Sequence, residues 1–322
     1  MDFESLYRQT IEELFREQIP GATQAAKFCL GEGKRIRPRL LLDAAEIWGA
    51  DRETAERAAV GIELLHHYLL VHDDLMDGDE LRRGQLTLHL ACASDHGLEK
   101  GRGLAVAIGD QLANEALSRL AHVSHDSAIN AALVSAALEV NGQTILGQMR
   151  EYIPNTNWTV DDLEKFYAYK TAAYSIALPW RLADILAGAD KNRAALITEA
   201  ARDLGIAYQF YDDLIEFRGE KMRDASGARS DLARGKITII ACLLLEQLSG
   251  AERQKLAQAW GADQLLPPEE IAKLSRLAVD AGIPERVQTL IDKHVASAER
   301  AVESLGLSQT QSVRILLELL KR

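Results

Sequence analysis

Cysteine, proline and long apolar runs are scarce in this chain, and each scarcity narrows the class of protein. Its 322 residues include only three cysteines, Cys29, Cys92 and Cys242, which lie far apart with no paired spacing. This pattern argues against a disulfide framework and against a cysteine zinc site. It indicates reduced thiols in a reducing compartment.

The sequence also shows no signal for secretion and no segment long enough to span a membrane. The run "ITIIACLLL" at 237–245 is among the longest strongly apolar stretches, and it falls well short of the roughly 20 residues that a spanning helix needs. The N-terminal "MDFESLYRQTIEELF" is acidic and amphipathic and lacks the basic start of a signal peptide. We therefore expect a cytoplasmic protein without stable membrane insertion.

Positive charge is in deficit, with a formal net charge of −11 at pH 7. Proteins that bind nucleic acid normally carry a basic excess or a strong basic patch, so nucleic acid is not an expected partner. Any anionic ligand must then be held by a local group of basic residues. The hydrophobic fraction of 47% is sufficient for a substantial core.

The chain is predicted to be all-α. Its seven prolines lie mostly at segment borders, and no stretch alternates β-branched and polar residues with period two. Thr159 is placed to cap a helix whose first turn carries Asp161 and Asp162, and Pro179 is expected to bend the continuation of that helix. Without internal repeats or linkers, we expect a single domain over residues 1–322.

The stretch "LVHDDLMDGDELRRG" at 70–84 gathers acidic side chains at the end of an apolar run, "GIELLHHYLLV". A solvated turn is the ordinary reading of such a charge cluster. However, the acids follow a segment that is predicted to be a buried helix. Asp73 and Asp77 are four residues apart and project from one helix face, where oxygen ligands favour magnesium.

A second acidic segment, "YQFYDDLIEF" at 208–217, contains Asp212, Asp213 and Glu216 among apolar residues. Buried acids require partners or metals, so a facing pair of acidic helices around magnesium is the simplest interpretation. Magnesium held by few carboxylates binds substrate phosphates, which predicts a di- or triphosphate ester. Basic residues that flank these acids are candidates for phosphate binding, although each alone is typical of a solvated surface: Lys34, Arg35, Arg37, Arg82, Arg83, Lys170 and Lys236.

The order of these motifs resembles that of the trans-type isoprenyl diphosphate synthases, the family of farnesyl and geranylgeranyl diphosphate synthases. The resemblance spans residues 30–240. The matching motifs are "GKRIRP", "ELLHHYLLVHDD", "DDLMDGDELRRG", "GDQLANEAL", "GQMREY", "YKTAAY", "YQFYDDLIEF" and "DLARGKIT". This resemblance implies an isoprenoid-synthase-type helical bundle around a central cavity, and a homodimer.

The resemblance also implies a role for each matched position. Asp73, Asp77 and Asp212 would bind up to three Mg²⁺ ions that bridge to an allylic diphosphate. The residues that would hold that diphosphate are Arg82, Lys170, Thr171, Gln209 and Lys236. The residues that match the site for isopentenyl diphosphate are Lys34, Arg37, His66 and Arg83. Catalytic positions would be Asp73, Asp77, Lys170, Asp212 and Lys236.

The implied reaction joins isopentenyl diphosphate to an allylic diphosphate, with charge on the leaving diphosphate stabilised by metal ions and basic side chains. No nucleophilic triad or reactive cysteine is evident, and this reaction needs none. Tyr68 and Leu69 lie five and four residues before Asp73, on the approach to the cavity floor. A bulky Tyr68 would limit the product to fifteen to twenty carbons; alternatively, it only packs in the core.

The chain departs from the family pattern at a few positions. Ala225 and Ser226 stand where the family usually has a Gly-Lys pair, and Glu216 and Glu151 stand where it commonly has aspartate. Three nearby basic residues could replace the lysine that the family has in this pair: Lys221, Arg223 and Arg229. These departures leave open a catalytically weak regulatory subunit of a prenyl synthase.

Two other enzyme classes share part of this pattern. A class I terpene cyclase uses the same metal chemistry, but it does not need the isopentenyl site that Lys34, Arg37 and His66 would form. The His72–Asp73 pair is compatible with a helical metal-dependent phosphohydrolase. That class leaves "DDLIE" and "GKRIRP" without a role.

Overall fold

The computed structural model describes residues 1–16, 19–31, 33–151, 157–220, 231–260 and 265–321. Helices dominate these residues, as predicted. The first helices are α1 (Phe3–Leu14), α2 (Ala22–Leu30), α3 (Ile36–Trp48), α4 (Arg52–Asp77), α5 (Leu88–His96), α6 (Leu98–Leu120) and α7 (Ser127–Glu151). None of the described helices combines the length and the apolar character that crossing a membrane requires.

Helix α8 continues directly into a π-helix and then into α9, so that three helix segments follow one another without a loop. The remaining elements are α8 (Val160–Tyr167), the π-helix (Ala168–Ala177), α9 (Leu178–Leu186), α10 (Lys191–Phe217), α11 (Asp231–Arg234), α12 (Ile239–Gln247), α13 (Gly250–Trp260), α14 (Pro268–Asp280), α15 (Ile283–Ser304) and α16 (Gln311–Leu320).

Residue contacts divide the chain into two compact units. The first unit comprises Met1–Glu139, Leu178–Ala195 and Gln309–Ser312, and the second comprises Val140–Ala177, Leu196–Ser308 and Val313–Arg322. The single domain and the central cavity therefore stay predictions.

Helix α4 is the centre of the first unit, where it packs against α1, α3, α6 and α9. The helix begins at Asp51, whose carboxylate accepts a hydrogen bond from the Thr54 amide at 2.9 Å. It ends at Gly78, which adopts the left-handed conformation (φ 64°) that commonly terminates helices. Because its middle is almost entirely buried, α4 is a rigid support for the acidic motif at its C-terminal end.

A short hairpin follows the acidic motif and was not predicted. Strand β1 (Leu81–Arg82) pairs antiparallel with β2 (Gln85–Leu86). The two central residues, Arg83 and Gly84, have φ of 54° and 75°, as type I′ turns require.

The second unit contains the predicted start of α8. Thr159 forms a capping box with Asp162, so this prediction is confirmed. A ten-residue π-helix ends immediately before Leu178 and Pro179, and the bend predicted at Pro179 stays a prediction. A Cβ atom on Gly205 of α10 would lie 2.2 Å from the Cβ atom of Ala172 in that π-helix, so α10 requires glycine at this contact.

Candidate functional site

The acids at the end of α4 differ in exposure and partners. The Asp73 side chain is 33% exposed, whereas that of Asp74 is 1% exposed. Arg82 donates from Nε to Oδ1 of Asp74 at 2.6 Å, and its Nη2 lies 3.7 Å from Oδ2 of Asp73. The hairpin therefore returns a guanidinium to the two adjacent carboxylates.

This contact compensates an unfavourable arrangement of charge. Carboxylates at a helix C-terminus face the negative end of the helix dipole. Burial raises the pKa of Asp74 to about 6, against the opposing effect of the Arg82 cation. Burial would lower the pKa of Arg82, but the carboxylates of Asp74, Asp73 and Asp79 outweigh burial and raise it. Arg82 consequently keeps its charge beside the acidic motif.

The carboxylates of α4 suit a metal that also binds substrate. Asp73 and Asp77 both lie in the last two turns of α4 and are partly exposed. Within the described ranges, no group of three or more His, Cys, Asp or Glu side chains is placed to hold a metal ion. Two carboxylates are too few for a closed protein site, and they fit Mg²⁺, which completes its shell with water and phosphate oxygens.

A second group of basic side chains lies in the first unit. Arg37 donates from Nη1 to Nε2 of His66 at 3.1 Å. A Cβ atom added to Gly33 would lie 2.6 Å from Nη1 of Arg83, so the Arg83 guanidinium lies against the backbone next to Lys34. The structure therefore brings together Arg37 with His66, and Arg83 with the segment that carries Lys34.

The electrostatics of His66 reflect this group. Burial lowers the pKa of His66 well below its ordinary value, and the charges of Arg37, Arg83 and Arg82 lower it further. At neutral pH the imidazole is uncharged, so its Nε2 can accept the hydrogen bond from Arg37. The positive charge beside His66 therefore comes from arginine.

Tyr68 and Leu69 are on α4 one turn before Asp73. Tyr68 is 7% exposed, and its ring meets the His72 ring edge-on with centroids 4.9 Å apart. Leu69 is half-buried. Their predicted role in product length stays a prediction.

In the second unit, hydrogen bonds of Gln209 and Asp213 connect α10 with α8, the π-helix and the start of α12. The Thr171 hydroxyl donates to Oε1 of Gln209 at 3.1 Å, and Nε2 of Gln209 donates to Oδ1 of Asp213 at 3.0 Å. Asp213 also accepts from the Tyr167 hydroxyl at 2.7 Å and from the Ile239 amide at 3.1 Å. The predicted residues Thr171 and Gln209 thus bond directly to each other, and the buried carboxylate of Asp213 fixes Gln209.

Asp213 and Asp212 have different environments. Burial raises the pKa of Asp213 to about 7, and the charge of Asp231 raises it as well. Asp212 is half-buried on the same turn of α10. Asp213 therefore anchors the end of α10, and Asp212 is the acid of the pair that is more accessible.

The two lysines predicted to bind the allylic diphosphate in this unit, Lys170 and Lys236, each lie next to a closely packed glycine. Lys170 forms an ion pair with Glu151 and packs against Gly147, where an added Cβ would lie 3.0 Å from the Lys170 Cβ. Lys236 follows Gly235, whose φ of 70° and contact with the Trp260 side chain both require glycine. Glu151 thus reaches the predicted phosphate-binding Lys170 despite replacing aspartate.

Glu216 is 8% exposed, and its Oε1 accepts a hydrogen bond from the Asp231 amide at 3.0 Å. This bond joins the end of α10 to the start of α11. The other departures from the family pattern, Ala225 and Ser226, lie outside the described residues. So do their candidate substitutes Lys221, Arg223 and Arg229.

Two buried acids were missed as site residues in the sequence. Asp74 is not among the residues predicted for the site, but it is buried and binds Arg82. The signal was its spacing, since His67, Val71 and Asp74 follow the i, i+4, i+7 pattern of a buried stripe. Asp213 follows the same spacing with Ile206 and Phe210, but its role as an anchor could not be predicted, because its partners Tyr167 and Ile239 come from distant segments.

The chain is similar to known proteins over most of its length. Residues 21–276 match the family model of the polyprenyl synthetases. A short chain isoprenyl diphosphate synthase of Methanothermobacter thermautotrophicus is 27% identical over 328 residues, covering 98% of this chain and 96% of the relative. A (2E,6E)-farnesyl diphosphate synthase of Mycobacterium bovis is 31% identical over 284 residues, covering 85% and 75%.

A solved structure is similar over the whole chain. The crystal structure of a geranylgeranyl pyrophosphate synthase from Corynebacterium glutamicum, complexed with isoprenyl diphosphate and magnesium, has a TM-score of 0.81. It is 23% identical, with 99% of each chain covered. At this level of identity, the similarity shows the shared fold.

Because the family match spans well over half of the residues, this chain belongs to the polyprenyl synthetase family. The predicted family, the helical fold and the class of enzyme, a prenyltransferase, are confirmed.

Proposed function

We propose that this chain is a magnesium-dependent prenyltransferase. It condenses isopentenyl diphosphate with an allylic diphosphate to give a trans-prenyl diphosphate of fifteen to twenty carbons, and it releases diphosphate. The observation that carries the proposal is the presence of two cationic groups near α4. One is Arg82 on the acidic motif, and the other comprises Arg37 and His66, with Arg83 nearby.

The allylic diphosphate is assigned to the acidic motifs and their basic neighbours. Asp73 and Asp77 with Asp212 would hold Mg²⁺, which supplies positive charge to the diphosphate as it leaves. Arg82, Lys170 and Lys236 add fixed charge. The support for Gln209 and Thr171 in this site is their mutual hydrogen bond, which orients both side chains.

Isopentenyl diphosphate is assigned to Lys34, Arg37, His66 and Arg83. Two guanidinium groups with fixed donors suit the oxygens of a diphosphate. His66 is neutral and accepts from Arg37, so it orients that guanidinium. This second anion site supports condensation over terpene cyclisation, because a cyclase has one diphosphate substrate.

The reaction breaks the bond between the allylic carbon and its diphosphate oxygen, and the electron pair leaves with the diphosphate. The isopentenyl double bond then attacks the allylic carbon and forms the new carbon–carbon bond. A proton lost from the isopentenyl unit, with the released diphosphate as the proposed acceptor, restores a double bond. The residues of this chain bind and orient the substrates and stabilise the departing charge.

A homodimer is part of the proposal. Helix α7 exposes Leu138, Ile145, Leu146 and Met149, of which Leu146 and Met149 are each 61% exposed. Such apolar side chains on one helix are typical of an interaction surface. Sedimentation of the full chain tests this, because a dimer gives twice the monomer mass of 35.5 kDa and a monomer contradicts it.

The proposed activity is tested by incubating the purified chain with isopentenyl diphosphate and allylic primers of increasing length. We expect a lengthened prenyl diphosphate and free diphosphate with magnesium, and no product with a chelator. If the only product is a hydrolysed primer or a cyclic hydrocarbon, the chain catalyses a different reaction and condensation is contradicted. Condensation that requires a second protein would support the regulatory subunit instead.

A further inference from the structure

The basic run at 33–37 contains an arginine that neither substrate site uses. Arg35 immediately precedes α3 and separates Lys34 from Arg37. Its φ of 48° and ψ of 41° place it in the left-handed region, which is disfavoured for a residue with a side chain. Such a backbone conformation persists only where surrounding contacts hold it.

The contacts of Arg35 are directed into the protein. Its side chain is 8% exposed, and Nη1 donates to Oε1 of Glu63 at 2.6 Å. Nη2 donates to the carbonyl oxygens of Cys29 at 2.9 Å and Gly31 at 3.2 Å. The guanidinium also lies over the Tyr7 ring, 5.0 Å from its centroid.

Two of these bonds act on the end of α2. Cys29 is in the last turn of that helix, and Gly31 follows it. The last carbonyls of a helix lack intrahelical partners, and a cation there also opposes the helix dipole. Arg35 therefore caps α2 from the far end of the segment that joins α2 to α3.

The remaining bond fixes this segment against α4. Glu63 and His66 are three residues apart on one face of α4. Glu63 binds Arg35, and His66 accepts from Arg37. His67 supports the first contact, since its Nε2 lies 3.5 Å from Nη1 of Arg35. Two arginines of the basic run thus meet consecutive sites on α4.

We propose that Arg35 is a positioning residue for the isopentenyl diphosphate site: it holds the segment that carries Lys34 and Arg37 and does not touch substrate. This inference rests on the proposed function and adds to it. Arginine is required because a single ammonium group cannot reach Glu63 and both carbonyls with the geometry of the planar guanidinium.

The test is steady-state kinetics of Arg35→Gln with each substrate varied in turn. We expect the KM for isopentenyl diphosphate to rise about tenfold or more. The KM for the allylic substrate and kcat at saturation should stay within about twofold, because those steps do not use the displaced segment. Arg35→Lys should give an intermediate KM.

Arg52→Gln is the matched control. Arg52 pairs with Glu56 on the same α4 helix, but its side chain is 86% exposed. Its removal should leave all three kinetic parameters unchanged, since exposed ion pairs contribute little.

A double variant separates positioning from stability. Arg35→Gln alone leaves Glu63 buried without its cation, whereas Arg35→Gln with Glu63→Gln removes both charges. We expect the double variant to regain thermal stability while the KM for isopentenyl diphosphate stays raised. If either variant keeps the wild-type KM for isopentenyl diphosphate, the inference about Arg35 is wrong, while the proposed function still stands. If the wild-type chain condenses no substrates, the proposed function falls, and the inference falls with it.

Discussion

The guanidinium of Arg82 donates a hydrogen bond to the buried carboxylate of Asp74 at 2.6 Å and lies 3.7 Å from the more exposed carboxylate of Asp73. Asp74 is thus the residue that holds a cation over the acidic motif. The adjacent acids of "DDLMD" differ accordingly: Asp74 faces the protein and fixes Arg82, whereas Asp73 is partly exposed, as its proposed role as a metal ligand requires.

Replacing Asp74 with alanine should both destabilise the protein and reduce activity. Arg82 would lose its buried partner, and we expect the free energy of unfolding to fall by about 2 kcal/mol. The KM for the allylic substrate should rise, because Arg82 is no longer oriented. Urea unfolding and kinetics measure both effects. Asp280→Ala, an exposed site at the end of α14, should change neither, and equal effects at the two sites would contradict this role.

Tyr167→Phe tests the anchor at the end of α10. The variant removes the hydroxyl that donates to Asp213 at 2.7 Å. We expect a loss of about 1 to 2 kcal/mol in the free energy of unfolding, with a raised KM for the allylic substrate because Gln209 shares this carboxylate. Tyr169→Phe is the control, since Tyr169 is 57% exposed on the adjoining π-helix. An unchanged KM in Tyr167→Phe would separate Asp213 from the substrate site.

The pH dependence of the free energy of unfolding should show a contribution from the charged imidazole of His294. Its Nδ1 lies 3.0 Å from Oδ1 of Asp203, and its Nε2 lies 3.3 Å from Oε1 of Glu164. Burial would lower the pKa of His294, but these carboxylates outweigh burial and raise it above its ordinary value of 6.5. The charged imidazole therefore stabilises the fold fully below about pH 6.5, the unfolded value. This contribution is lost as pH rises through the folded pKa.

The free energy of unfolding is measured at several pH values, from slightly acidic to alkaline, for the wild-type chain and for His294→Gln. Wild-type stability should fall relative to the variant as pH rises through this window. His122→Gln is the control, because His122 is exposed. Parallel profiles for the wild-type chain and His294→Gln would contradict the assignment.

Tyr68→Ala should lengthen the product. If Tyr68 limits the growing chain, as the sequence predicts, removing its buried ring opens space for additional isoprene units. The product is identified by mass after the diphosphate is removed. Unchanged chain length, together with lower stability, would assign Tyr68 to core packing against His72.

The features that sequence predicted well are those set by short-range chemistry. The capping box at Thr159 depends on two residues three apart, and it forms as expected. The apolar run that stops at charged residues predicted a buried helix with an acidic end, and α4 is that helix.

The features that sequence did not predict depend on packing between distant segments. The direction of the Arg35 side chain is decided by Glu63 and by the end of α2, which no local pattern reveals. The two-residue strands at Leu81–Leu86 are too short for a periodic signal. The π-helix replaces a regular helix where Ala172 meets Gly205 at close range.

The most direct test of two separate diphosphate sites is a kinetic comparison of Arg37→Gln and Arg82→Gln, with both substrates varied. The account predicts that Arg37→Gln raises the KM for isopentenyl diphosphate by about tenfold and leaves that of the allylic substrate near its wild-type value. Arg82→Gln should do the reverse. If both variants raise both KM values equally, the two cationic groups serve one site and the account is wrong.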